Sequence, residues 1–301
     1  MSHSLYAGLR RRFLNNRSAQ AALFIFALFA LSGVLADFVA PYNTNNPLEI
    51  DLLDSETPPA WEEEGDERFV FGTDAQGRDL FSAILYGLRV SVSIGIFAVL
   101  LQAVLGVAIG LTAGYAGGRV DAALMRIADI QLSFSSFMVA IVALAIFQAL
   151  FGAEQYEELA PYMLILVIGI SEWPQYARTA RAVALAEKEK DYIAAARVLG
   201  YPPRRIIWRH LFPNTLTPIL VISTVQTANA IISEASLSFL GLGMPVTRPS
   251  LGSLIHAGFD YMLSGSWWIV FFPSAALILL VLSVNVLGDF LRDALNPKAV
   301  S

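Results

Sequence analysis

Residues 191–214 read DYIAAARVLGYPPRRIIWRHLFPN, and this charged, alanine-rich insert between two apolar stretches decides how the chain is organised. Asp191 is placed to cap a helix, its carboxylate accepting the free N–H groups of the first turn. Ala194, Ala195 and Ala196 favour helix and leave a surface without bulk, which another protein can approach closely. Gly200 suits the position after the helix, where a positive φ ends it cheaply. Pro202 and Pro203 prevent continuation, Arg204, Arg205 and Arg209 keep the next segment in water, and Pro213 with Asn214 marks re-entry into apolar surroundings. The expectation is a short helix, a turn and a second helix, forming a rigid knob that docks a soluble partner. A merely solvated connector needs neither an alanine triplet nor a timed glycine and paired prolines.

The rest of the chain explains why such a knob is needed. Hydrophobic residues make up 56% of the 301 and charged residues 15%, against about 25% charged in soluble domains. That is too little polar surface for a soluble fold, so the chain reads as an all-α integral membrane protein. With no cysteine, disulfide frameworks, thiolate metal sites and cysteine nucleophiles are excluded. No basic stripe occurs outside the membrane-flanking segments, so nucleic acid is not an expected partner. A bilayer core about 30 Å thick takes roughly 20 residues of helix. Six stretches fit: 19–40, 90–115, 123–151, 161–176, 215–240 and 267–290. The fourth is short, carries Glu172 and Pro174, and is expected to continue helically past Arg178 and Arg181. Within the second, Gly106 and Gly110 form a small-xxx-small pattern suited to close helix packing.

Charge sets the orientation. With the N-terminus inside and six crossings, Arg10, Arg11, Arg12, Arg17, Arg119, Arg126, the eight basic residues between 178 and 209, Arg292 and Lys298 all fall on one side. That is sixteen of the twenty Lys and Arg, leaving Arg68, Arg78, Arg89 and Arg248 outside. The positive-inside rule therefore puts both termini in the cytoplasm. The domains follow: a cytoplasmic start at 1–18, a first span at 19–40, an extracytoplasmic acidic segment at 41–89, and a transmembrane body at 90–300 with its docking loop at 183–213. The alternative of a cleaved leader, cut near Ala36, is disfavoured by an apolar run longer than a usual signal core.

The outer segment holds eleven of the twenty-five acidic residues between 41 and 86 and reads as a solvated loop, with GTDAQGRD at 72–79 as an ordered cap on the second span. There, Arg78 and Asp79 are expected to pair locally. Local pairing is also expected among Asp121, Arg126 and Asp129. Trp267 and Trp268 read as members of an outer interfacial belt.

At the level of motifs, the chain resembles the permease subunits of binding-protein-dependent ABC importers, whose loop follows EAA-x3-G-x9-I-x-L-P. The pattern falls on Ala194, Ala195, Ala196, Gly200, His210, Phe212 and Pro213, with alanine at the usual Glu, His210 at the Ile and Phe212 at the Leu. The closing RHLFPN is similar to the form in the dipeptide, oligopeptide and nickel branch. FGTDAQGRDLFSAILYGLRVS at 71–91, the GYAGG turn at 114–118, EASLSFLGLG at 234–243 and GDFLRDALNP at 288–297 resemble further signatures of that branch, with Ala83 and Asn296 departing from them. The likeness runs over nearly the whole chain and is nearest to the C-type subunit.

The resemblance implies a six-helix permease bundle in a bacterial or archaeal cytoplasmic membrane, carrying peptides or related small solutes. Its implied partners are a second, B-type permease in a heterodimer, two ATP-binding subunits on the inner loops, an extracytoplasmic solute-binding protein and membrane lipid. ATP and Mg would be bound by the partner subunits, with no cofactor in this chain. The residues agree that the engine lies elsewhere: a P-loop needs Gly-Lys, and none of Lys188, Lys190 and Lys298 follows a glycine. An ion-coupled secondary transporter is the alternative, resting on Glu172 and Glu234. Catalysis is not expected, because His3, His210 and His256 are too scattered for a buried nucleophile pair or a metal site.

Overall fold

A computed structural model describes residues 11–44, 46, 50–245 and 247–295. The readings that rest on His3, Arg10, Asn296, Pro297 and Lys298 lie outside them. Regular structure among the described residues is helical, apart from one isolated bridge between Thr73 and Asp79.

Helix α1, Arg17–Val34, starts where the Asn16 side chain accepts the Ala19 N–H at 3.0 Å. Helix α2, Leu80–Ala116, is 37 residues long and begins ten residues before the second apolar stretch, because Asp79 caps it through the Ser82 N–H. Gly117, at φ 66°, ends it and turns the chain into α3, Gly118–Ser133. Helix α4, Ser136–Lys188, has two arms joined at Gly152, whose φ of 71° breaks the helix and reverses the chain. Its second arm runs through Pro161 and Pro174 to Lys188, so the fourth stretch does continue helically past both arginines. Helices α5, Asp191–Val198, α6, Phe212–Phe239, α7, Leu251–Phe259, and α8, Trp268–Leu295, follow, with one-turn helices at Ala36–Val39 and Pro203–Ile206 between the longer ones.

Among the described residues, four helical runs are long and apolar enough to cross a membrane: Arg17–Val34, Leu80–Ala116, Pro203–Phe239 and Trp268–Leu295. The third apolar stretch is not one straight rod, since α3 and the first arm of α4 meet at 83° and make a fifth span only if counted together. The break falls at Phe134 and Ser135, both in extended conformation.

Packing centres on the contact of α2 with the second arm of α4. A methyl added at Gly110 would lie 2.8 Å from the Ala180 side chain, and one at Gly114 would lie 2.6 Å from that of Ala184. Only glycine permits this approach, so the small-residue spacing in α2 is a packing seam. Tyr176, Leu111 and Leu164 fill the seam's core, and Ile193, Ala196, Ile206 and Leu211 from the inner loop belong to the same cluster. A second cluster joins α2 to α7 and α8 through Leu80, Leu88, Leu251, Trp268 and Leu280.

The outer acidic segment departs from the solvated loop expected of it. Residues 50–79 fold into a cap on the N-terminal end of α8. Phe71 stacks on Phe272 at 4.4 Å, Trp61 meets both rings edge-on, and Ser266 donates to Glu56 at 2.8 Å. Arg78 pairs with Asp74 at 2.7 Å, not with Asp79, which is committed to capping α2. Trp268 is no belt residue either: it is buried, and its indole N–H donates to the Thr73 carbonyl at 3.1 Å. Trp267 stays 40% exposed.

Candidate coupling site

The inner loop keeps the predicted order of helix, turn and helix, with different capping at its start. Lys190 holds the N-cap position and Asp191 is the first helical residue, so Asp191 sets its charge against the helix N-terminus without capping it. The far end is as expected. Gly200 has φ 73°, its N–H bonds the Arg197 carbonyl at 3.0 Å, and the Tyr201 N–H reaches Ala196 at 3.1 Å. Those two bonds make a Schellman stop. Pro202 then caps and Pro203 opens the next turn, Pro203–Ile206.

The alanine triplet divides between two faces. Ala194 and Ala195 are exposed, whereas Ala196 is buried with Ile193, three residues before it, against the bundle. Ala196 is therefore not part of the exposed face of α5. That face does include residues the motif does not name, Val198 at 88% and Leu199 at 70% exposure, at the tip of α5. Their signal was present in sequence: two consecutive large apolar residues directly before a helix-stopping glycine.

Beneath the knob lies a polar brace. Buried Glu187 accepts from Lys190 at 2.5 Å and from the Tyr192 hydroxyl, and the Asn214 amide donates to Tyr192 at 3.2 Å and to the His210 carbonyl at 2.8 Å. Burial pushes the Glu187 carboxyl up, but the bonds from Lys190 and Tyr192 outweigh it and hold it below the usual range. Burial and the same carboxylate push the Tyr192 phenol up to about 12. His210 sits between the rings of Tyr192 and Tyr201, at 6.0 and 6.4 Å, so it fastens the two halves of the loop together. Arg205 lies over Tyr201 at 4.2 Å. From below, Lys188 donates to the Tyr115 carbonyl at 2.9 Å and Arg197 covers the Tyr115 ring at 5.6 Å.

Pro213 stands at the start of α6, just after a π-turn at Ile207–Leu211. Proline in a continuous α-helix would clash with the carbonyl four residues back, here Arg209, and the wider turn relieves that. The chain from Pro203 thus runs into α6 as one continuous helical segment, Pro203–Phe239. Two long-range ion pairs replace the local pairing expected of Asp121 and Asp129. Arg181 grips both oxygens of Asp121 at 2.5 and 2.6 Å, and Arg178 meets Asp129 at 2.7 Å, which ties α3 to α4.

The structure is thus a bundle of apolar helices carrying a braced loop at 188–214. Residues 106–301 match the family model of the binding-protein-dependent transport system inner membrane component, and residues 4–59 match that of the N-terminal TM domain of oligopeptide transport permease C. The chain belongs to the first of these families, and is a membrane-embedded transport component. It is 35% identical over 288 residues to the di/tripeptide transport system permease protein DppC of Pseudomonas aeruginosa, covering 95% of this chain and 90% of that one. It is 37% identical to the dipeptide transport system permease protein DppC of Escherichia coli K12 (95% and 91%) and 34% identical to that of Bacillus subtilis (96% and 84%).

Proposed function

We propose that this chain is one permease subunit of a peptide importer, crossing the cytoplasmic membrane six times with both termini inside. It pairs with a second permease and takes its cargo from an extracytoplasmic binding protein. Two ATP-binding subunits drive it, one of them seated on the knob at 191–200. The observation that carries this reading is the union of an exposed tip, Val198 and Leu199, with an inward face, Ile193 and Ala196, that belongs to the bundle core. A load applied at the tip is transmitted to α4 and α6 as a rigid body instead of being absorbed by a loose loop. Residues Asp191, Ala194, Ala195 and Gly200 form or shape the contact, while Ala196, His210 and Pro213 fix its attitude to the membrane helices. ATP and Mg belong to the partner subunits in this scheme.

Reconstitution tests it. The chain, assembled with a second permease, two ATPases and a binding protein in proteoliposomes, should accumulate a labelled dipeptide only with ATP. Accumulation by this chain without ATPases, driven by a proton or sodium gradient, would establish the secondary-transporter reading in its place.

A further inference from the structure

Between the helices, one groove carries hydroxyls and a carboxylate. The bend at Phe134 and Ser135 brings the start of α4 against its own second arm and against α6, enclosing a cavity of about 100 Å³ lined in part by Ser136, Ser171, Glu172 and Ser233. The hydroxyls of Ser136 and Ser233 have no partner among the described residues. Asn229, one turn before Ser233, is exposed on α6, which extends the polar stripe along the helix.

Glu172 is the residue that asks for a ligand. It lies six residues, about 9 Å of helix rise, outward of Arg178 and inside the apolar stretch. The inner carboxylates Asp121 and Asp129 each hold an arginine, but Glu172 receives one neutral bond, from the Gln175 amide at 2.9 Å. Among the described residues no cation pairs with it. A carboxylate at membrane depth is costly unless a cation or water-filled path compensates it. Packing does not require the acid here, since glutamine would fill the same space.

Resting on the peptide-importer reading, we infer that Glu172, flanked by the hydroxyls of Ser136 and Ser233, takes the free ammonium end of a peptide as it passes. The chemistry fits: an α-amino group titrates near 8, so most of it is charged at neutral pH. The cavity, about 100 Å³, admits a terminal group and not a whole peptide. The remaining length would lie along the stripe toward Asn229.

The test uses the complete transporter in proteoliposomes, with labelled alanyl-alanine supplied on its binding protein at saturation. Glu172→Gln should lower the uptake rate about tenfold, the signature of an interaction made during passage, while the second permease and the ATPases co-purify in unchanged amounts. Glu172→Asp should restore most of the rate. Wild-type uptake by Glu172→Gln would overturn the inference, as would loss of the second permease from that variant, which would make Glu172 a subunit contact. No dipeptide uptake by the wild-type assembly would instead bring down the peptide-importer reading beneath it.

Discussion

Gly110 of α2 rests directly against the backbone of Ala177 in α4, with the Ala180 methyl 2.8 Å from where a Cβ would stand. Neither neighbour is a flexible side-chain tip that could swing away, so the two helices can be this close only while residue 110 is glycine. Gly110→Ala should destabilise the bundle by about 1–3 kcal/mol, the usual cost of overpacking. A thermal melt in detergent, compared with Leu100→Ala on the exposed face of the same helix, would show it. An unchanged melting temperature would mean that the seam yields.

At the knob, the split of the alanine triplet separates two outcomes. Ala195→Asp and Val198→Asp place charge on the exposed face and should abolish ATP-driven uptake with the melting temperature unchanged. Ala196→Asp buries a charge against Ile193 and should lower expression and stability instead. If Ala196→Asp gives a stable but uncoupled protein, the inward orientation of that side chain is wrong.

Gly200 carries a φ of 73° at the end of α5. A β-branched residue is strained there by about 1–3 kcal/mol, so Gly200→Val should weaken ATPase retention on co-purification. Gly200→Asn should be tolerated, because asparagine enters the left-handed region more readily. Equal behaviour of the two variants would show that the turn does not set the knob's shape.

The Glu187–Tyr192 bond under the knob should be insensitive to pH across the physiological range. Glu187 is held below the usual carboxylate range, so its contribution is present above about 4.3, the unfolded value, and is lost only as pH falls through the lower folded one. Tyr192, pushed up to about 12, keeps its proton and its bond until strongly alkaline pH. In a His210→Gln background, which removes the imidazole packed against this loop, hydrogen exchange of residues 188–200 should therefore be flat between pH 5 and 9 after correction for intrinsic rates, and Tyr192→Phe should raise it. A transition near pH 7 in that background would contradict this assignment.

On the outer side, Trp268 holds the cap by one hydrogen bond to Thr73. Trp268→Phe removes that donor and leaves a buried carbonyl unpaired, at a cost of about 1–3 kcal/mol. Limited proteolysis from the outer face should then cut residues 50–70 faster, with α8 intact. Unaltered cutting would show that the stack of Phe71 on Phe272 suffices.

Local chemistry made much of this legible from residue order. Apolar runs, the glycine spacing of α2 and the Gly200-Pro202-Pro203 punctuation depend on neighbours a few positions apart, and each expresses a rule of backbone geometry or solvation. Partners far along the chain were not legible. Arg181 finds Asp121 sixty residues away, Trp268 finds Thr73 across nearly two hundred, and in the acidic segment Trp61 and Phe71 meet Phe272. The sense in which α5 turns its alanines, and the groove that collects Ser136, Glu172 and Ser233, were likewise fixed by packing. Periodicity tells which residues share a helix face, but only the neighbouring helices determine which face is turned inward.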